Sequence, residues 1–316
     1  MNLKMGVIGC GAFGQHHVRN LCEMEDVDLV GVADVNVERL SAMKEAFGVN
    51  TFSDYRQLLD HGVNAVTIAV PTKMHMTVAI DALERGVHVM VEKPIASSLK
   101  EGTHMIQAAR KEGVSLMVGH VTRFEPTIIH LRDMIQQGDL GEVVTISTKR
   151  VGPYHSRIRD VGIIIDLGVH DIDIISYLYG EHATKIVAAA GRTIHPVHEF
   201  EDHASILMIF KSNRSGLIDT NWLSPHKVRQ LTAVGTRSIV DIDYLKNSLI
   251  NYDSQWIREA KLMSSEPLKT ELEAFITAIR ESKPVPISGE EGLYNLQVAL
   301  AAIESYKEGK EVSLHG

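Results

Sequence analysis

Short apolar runs of strand character alternate with segments of helical period from the N-terminus through Val118, and this alternation constrains the fold more than any other feature. Strands separated by helices pair in parallel, with the helices packed on the sheet faces. Strands are expected at residues 4–8, 29–33, 65–69, 88–91 and 116–118, with a weaker one at 50–52. Helices are expected at 13–24, 37–47, 74–85 and 99–111, the last two stopping before Gly86 and Gly113, where a left-handed residue can end a helix.

After Arg123 the pattern changes. A helix at 126–137 leads into β-rich runs at 143–150, 186–191, 204–210, 216–222 and 239–242, largely without intervening helices. That favours a large, mostly antiparallel open sheet, with helices such as 171–179 on one face and closing helices near 269–281 and 291–307. The length of 316 residues suits two domains, an α/β domain over 1–122 and an α+β domain over 123–316.

Composition narrows the function classes. Hydrophobic residues at 44% and charged residues at 23% describe a folded globular chain. The 32 Lys and Arg against 40 Asp and Glu leave a net charge of −8, which argues against a nucleic-acid or membrane-surface partner. No apolar stretch approaches the roughly 20 residues of a membrane span, and the opening residues lack the pattern of a signal peptide, so a cytoplasmic location is expected. Cys10 and Cys22 are too few for a disulfide scaffold and lack metal or redox spacing.

Gly9-Cys10-Gly11-Ala12-Phe13-Gly14 is a Gly-x-Gly-x-x-Gly placed between the first strand and the first helix. In that context bare backbone at Gly9 and Gly11 can turn tightly and approach a pyrophosphate at the positive end of the helix. Asp34 closes the second strand twenty residues after Gly14, where a carboxylate reaches ribose hydroxyls and repels a 2′-phosphate. The first domain therefore reads as a Rossmann dinucleotide-binding domain using NAD. Arg39, one turn into the next helix, leaves some use of NADP open.

Two further segments carry chemistry. Glu92-Lys93-Pro94 ends the strand at 88–91, on the sheet edge where ligands bind, so Lys93 can project towards a nicotinamide. Asp166 and His170 are four apart, which on a helical start places both side chains on one face. Oxidising an alcohol by hydride transfer requires a base for the hydroxyl proton and a positive group for the developing alkoxide, and imidazole and ammonium supply both. Singly, Lys93 also reads as a solvated strand-end lysine, Asp166 as a helix cap and His170 as a hydrogen-bonded core histidine.

Together, in this order and spacing, the segments resemble the Gfo/Idh/MocA oxidoreductase family over nearly the whole chain. The resemblance implies that Lys93 orients and polarises the reacting hydroxyl, that His170 is the acid/base, and that Asp166 positions substrate and partners. Val70-Pro71-Thr72-Lys73-Met74-His75 is similar to the family's Thr-Pro-x-x-x-His segment beside the cofactor, with Val70 in place of the threonine. It implies Val70, Pro71, His75 and Glu92 near NAD. His120-Val121-Thr122-Arg123-Phe124 is similar to the family's domain-crossing segment without its usual Asn, and makes His120 and Arg123 further site candidates. By analogy with the family, the outer face of the second sheet is expected to build a homodimer or homotetramer.

The stretch from Lys149 to Asp160, with Arg157 and Arg159, resembles members that oxidise nucleotide-activated amino sugars, especially UDP-N-acetylglucosamine 3-dehydrogenases. Physically, the two arginines could grip a diphosphate, or belong to a solvated loop. The expected substrate is a sugar or nucleotide sugar, the alternatives being an inositol or free sugar. From another class comes a non-catalytic sensor, since a galactose-pathway corepressor shares the family fold. Among the sixteen histidines, His195, His198 and His203 with Glu199, Glu201 and Asp202 match no metal-ligand spacing; they read as a solvated turn, and no metal is expected.

Overall fold

The computed structural model describes residues 2–154, 161–194 and 200–314 and divides the chain into two compact units. The first holds Met1–Val121 with Glu266–Leu296, and the second holds Thr122–Ser265 with Gln297–Gly316.

The first unit is built on a six-stranded parallel sheet ordered β3-β2-β1-β4-β5-β6. Its strands are β1 (Leu3–Ile8), β2 (Val27–Ala33), β3 (Thr51–Phe52), β4 (Ala65–Ile68), β5 (His88–Glu92) and β6 (Leu116–Gly119). The order reverses between β1 and β4, which creates the switch-point crevice of a doubly wound sheet. Met5, Val7, Ile68, Val89 and Val91 are fully buried, as parallel strands covered on both faces require.

The helices α1 (Gly14–Cys22), α2 (Val37–Phe47), α3 (Tyr55–Asp60), α4 (His75–Leu83) and α5 (Leu99–Glu112) join these strands. Asn36, Asp54 and Ser98 cap α2, α3 and α5 by accepting backbone N–H groups at 3.0, 3.0 and 3.3 Å. Gly48 and Gly113 end α2 and α5 in the left-handed conformation. Helix α1 begins at a glycine, with no side-chain cap and no acidic residue in its first turn. The short α3 was not expected, because six residues hold too little periodicity to stand out.

The second unit carries a nine-stranded sheet ordered β14-β13-β12-β11-β7-β10-β9-β8-β15. The strands are β7 (Val143–Pro153), β8 (Ala183–Gly191), β9 (His203–Phe210), β10 (Ser215–Asn221), β11 (Leu223–Gly235), β12 (Ser238–Asp243), β13 (Ser248–Asp253), β14 (Ile257–Glu259) and β15 (Val312–Ser313). All pairs are antiparallel except β7 with β10. Helix α6 (Pro126–Gln137) precedes the sheet, and a π-turn, Ile164–Gly168, runs directly into α7 (Val169–Tyr179). Ile146, Ile206, Met208, Ile218, Leu231 and Val240 alternate inward along their strands, and α7 packs on the sheet with Ile172, Ile174 and Ile175 fully buried.

The last helices are α8 (Pro267–Arg280) and α9 (Gly289–Glu308). Against the linear division expected after residue 122, α8 and the start of α9 count with the first unit. Arg19 and Asn20 of α1 both donate to Glu266, and Arg280 pairs with Asp26, contacts between distant chain positions that no local pattern announces.

Candidate active site

The three glycines of the first turn do different work. Gly9 has φ +98°, and a Cβ there would lie 2.6 Å from the Ala69 carbonyl oxygen, so the turn passes hard against the end of β4. At Gly14 a Cβ would lie 1.8 Å from the Gly9 carbonyl oxygen, so the start of α1 closes on its own turn. At Gly11 a Cβ would meet nothing within van der Waals contact except an Arg39 nitrogen at 3.9 Å. Among the described residues nothing requires a glycine there, and the space lies beside the uncapped start of α1. Open backbone at a positive helix end fits a dinucleotide pyrophosphate. Ala12 and Phe13, both exposed, complete the turn.

Asp34, buried at the end of β2, accepts the N–H of Cys10 at 2.7 Å and that of Asn36 at 2.8 Å. Arg39 stands 3.5 Å from the same carboxylate. The carboxylate thus ties the glycine turn to the neighbouring strand end. Burial and the Asp34 charge push the Cys10 thiol up to about 12, which leaves it a neutral packing group.

At the next strand ends, His75 is buried with Nδ1 2.9 Å from the Pro94 carbonyl and Nε2 3.0 Å from the Val70 carbonyl. Both ring nitrogens therefore face backbone. His75 joins the segment that holds Val70 and Pro71 to the one that holds Lys93, rather than offering a nitrogen to a cofactor. Glu92 likewise turns inward: its Oε1 lies 3.0 Å from Nε2 of buried His17, on α1, and occupies the space a Cβ on Gly119 would fill. Lys93, half-buried, follows directly at the carboxyl edge of the sheet. His120 is buried beneath, its Nε2 3.3 Å from the Asn295 amide.

In the second unit, Asp166 lies in the π-turn and His170 in the first turn of α7, both half-buried. A π-turn at this point is a departure from regular helix of a kind that recurs at functional sites, and no sequence pattern marked it. The His170 Nδ1 lies 3.3 Å from the Thr122 hydroxyl, which orients the ring. The turn is fixed from below by Glu201, whose carboxylate accepts the N–H of Ile164 at 3.1 Å and fills the space left by the missing Cβ of Gly162.

Glu201 and Asp202 do not belong to a solvated turn: they are 4% and 0% exposed. Asp202 accepts the N–H groups of Thr193 and Ile194 at 2.8 and 2.7 Å, and His203 lies 2.9 Å from it. Buried carboxylates are held where backbone donors satisfy them, and both do so here. Among the described residues no group of three or more His, Cys, Asp or Glu is placed to hold a metal ion. His195, His198, Glu199, Arg157 and Arg159 lie outside the described residues.

Arg123, expected near substrate, is buried instead against Asp173 through contacts of 2.6, 2.9 and 3.1 Å and lies over the Tyr177 ring. A buried guanidinium requires an anion, and Asp173 supplies it, so Arg123 fastens the segment after Thr122 to α7. Arg150 forms a second such pair with Asp171, both bonds 2.9 Å. Opposite Arg150 in register stands Arg229, half-buried on β11 and absent from the sequence reading.

Residues 3–120 match the model of an oxidoreductase family with an NAD-binding Rossmann fold, and residues 128–241 match the GFO/IDH/MocA C-terminal domain. The myo-inositol 2-dehydrogenase of Thermotoga maritima is 28% identical, covering 99% of this chain and 98% of its own. The NAD(+)-dependent scyllo-inositol 2-dehydrogenase of Bacillus subtilis is 29% identical over 99% of this chain and 96% of its own. The solved UDP-N-acetylglucosamine 3-dehydrogenase of Acidithiobacillus ferrooxidans superposes with a TM-score of 0.90 at 26% identity, over 98% of this chain and 99% of its own. No helix among the described residues is long and apolar enough to cross a membrane. With both domain models matched and relatives aligned along their full lengths, the chain belongs to the Gfo/Idh/MocA family of NAD-binding oxidoreductases and is a dehydrogenase.

Proposed function

We propose that this dehydrogenase oxidises a secondary hydroxyl of a sugar to a ketone, its substrate being a nucleotide sugar such as UDP-N-acetylglucosamine, oxidised at C3. NAD supplies the hydride acceptor. Lys93 polarises the hydroxyl and stabilises the alkoxide as it forms, Asp166 positions the substrate, and His170 takes the hydroxyl proton. The carbon loses a hydride and the oxygen a proton, so the products are keto sugar, NADH and one proton. The observation that carries this reading is the pair Asp166 and His170, half-buried on a π-turn and helix start, with the His170 ring oriented by Thr122. A pure sensor of dinucleotide and sugar needs no such acid/base pair.

The amino-sugar reading draws support from the A. ferrooxidans relative, 27% identical over 97% of this chain, and from Arg157 and Arg159, which we assign to the diphosphate. An inositol is the second reading, supported by the T. maritima and B. subtilis dehydrogenases. The test is NADH absorbance on mixing enzyme and NAD with UDP-N-acetylglucosamine, N-acetylglucosamine, myo-inositol and scyllo-inositol. Turnover of the nucleotide sugar alone upholds the first reading and turnover of an inositol alone the second. Silence with all four, while a sugar and NAD still bind, supports the sensor. The protein is further assigned to the cytoplasm as a homodimer or homotetramer, acting on small molecules without nucleic-acid or membrane partners.

A further inference from the structure

We propose that Arg229 is an anion contact of the substrate site: its guanidinium, opposite Arg150 in the sheet and on the face that packs the helix carrying His170, takes a carboxylate or phosphate oxygen carried by the sugar. This rests on the sugar-dehydrogenase reading above and adds a residue of the sheet that holds an anionic group of the sugar.

Arg229 and Arg150 are register partners on β11 and β7, so both lie on the face of the sheet that packs α7. Two guanidinium groups side by side repel, and each requires an anion when removed from water. Arg150 has one, since Asp171 grips it with both oxygens. No carboxylate pairs with Arg229 among the described residues. Its Nη1 donates to the backbone carbonyls of Val151 at 2.6 Å and Val228 at 2.8 Å. Those bonds fix the plane of the fork without balancing its charge, and no hydrogen bond engages Nε or Nη2 among the described residues.

The surroundings sharpen this imbalance. Burial and the charge of Arg150 pull the Arg229 pKa down to about 10, against the opposing pull of Asp171 and Asp166. The group remains charged at neutral pH, and an anion docking on its open side would relieve the repulsion. The strand is also opened here, with a register break between Leu223 and Val228, so the ladder does not close over the residues just before Arg229. A rigid fork with one nitrogen anchored and two donor directions left suits a planar or tetrahedral oxyanion. Asp171, which grips the neighbouring Arg150, directly follows His170 on α7, and this places the docked group on the side of the sheet that carries the candidate chemistry.

The test compares wild type, Arg229→Gln and Arg229→Lys, each loaded with NAD, by titration calorimetry at fixed ionic strength. Two matched pairs serve as probes: N-acetylglucosamine 1-phosphate against N-acetylglucosamine for phosphate, and D-glucuronate against D-glucose for carboxylate. Wild type should bind one anionic probe more tightly than its neutral counterpart, and that pair identifies the source of the anion. Arg229→Gln should weaken that probe by about 10- to 100-fold and the neutral counterpart by no more than about threefold. Arg229→Lys should keep an intermediate affinity, and NAD binding should stay unchanged in all three. Equal weakening of both members of the pair would make Arg229 a residue that holds the strand in place, and would overturn the proposal. So would an unaffected Gln variant, or a wild type that binds neither anionic probe better than its neutral partner. Because the readout is binding, a failure of the redox reading, seen as no NADH from any sugar, stays separate from a failure of this one.

Discussion

The Asp34 carboxylate holds the N–H of Cys10 at 2.7 Å, so the residue placed to select the cofactor also braces the glycine turn that would hold its pyrophosphate. The two roles are coupled through one side chain. A carboxylate that accepts from backbone and also stands beside Arg39 keeps that arginine engaged, which removes the cation a 2′-phosphate would need.

Asp34→Ser should therefore weaken NAD binding by about 10- to 100-fold, the scale of losing a charge-assisted hydrogen bond, and should strengthen NADP binding as Arg39 is released. Fluorescence titration of both cofactors checks this. Wild type that binds the two equally, or a variant with an unchanged ratio, would show that selection lies elsewhere.

His170→Ala should lower turnover by roughly 10² or more while leaving NAD affinity nearly intact, because a positioned acid/base acts on the substrate proton and not on cofactor binding. Lys93→Ala should lose at least as much. The measurement is kcat with the substrate identified by the sugar panel, beside NAD titration. Wild-type turnover in either variant would remove that residue from the reaction.

Glu201→Gln probes a positioning role. The change keeps an amide oxygen near Ile164 but removes the charge at the start of the turn, so stability should fall by about 1 kcal/mol, the scale of a helix-start carboxylate. Denaturant unfolding reads that loss. Turnover should fall as well with NAD affinity unchanged, since Asp166 and His170 ride on the turn. A variant as stable and as active as wild type would show that the turn is held by packing alone.

What could be read from the chain follows from how local each signal is. The place of the glycine turn between β1 and α1, the end of β2 before Asp34 and the parallel strands were legible, because each rests on neighbours in sequence or on buried apolar runs. Glu201 was misread because the carboxylate's partner, the Ile164 N–H, lies far upstream, and polar neighbours gave its segment the look of solvent. Arg123 was misread for the same reason: a buried cation is recognised only with its anion, and Asp173 stands on another helix. Arg229 was missed because β11 is polar and half-exposed along Ser224–Gln230, hiding the strand's central place in the sheet. The return of α8 to the first unit depends on partners such as Arg19 with Glu266, which no periodicity encodes.

The outer face of the second sheet gives the last prediction. Val187 on β8, Leu207 on β9 and Leu217 on β10 are register partners in a row, with Ile209 and Ile239 on the same face, and Val187, Leu217 and Ile239 are 38%, 44% and 40% exposed. The opposite face is covered by α7, so this apolar row is left facing outward. A contiguous apolar stripe on a sheet face is unusual for a monomer, and a two-fold pairing of such faces would bury it against itself. Light scattering at micromolar concentration should give a mass at least twice that of one 35.0 kDa chain. Leu217→Asp places a charge in the middle of the row, once in each copy, and should shift the mass towards the monomer while leaving the circular dichroism spectrum unchanged. A strictly monomeric wild type, or a Leu217→Asp variant of unchanged mass, would show that this face is not where copies meet.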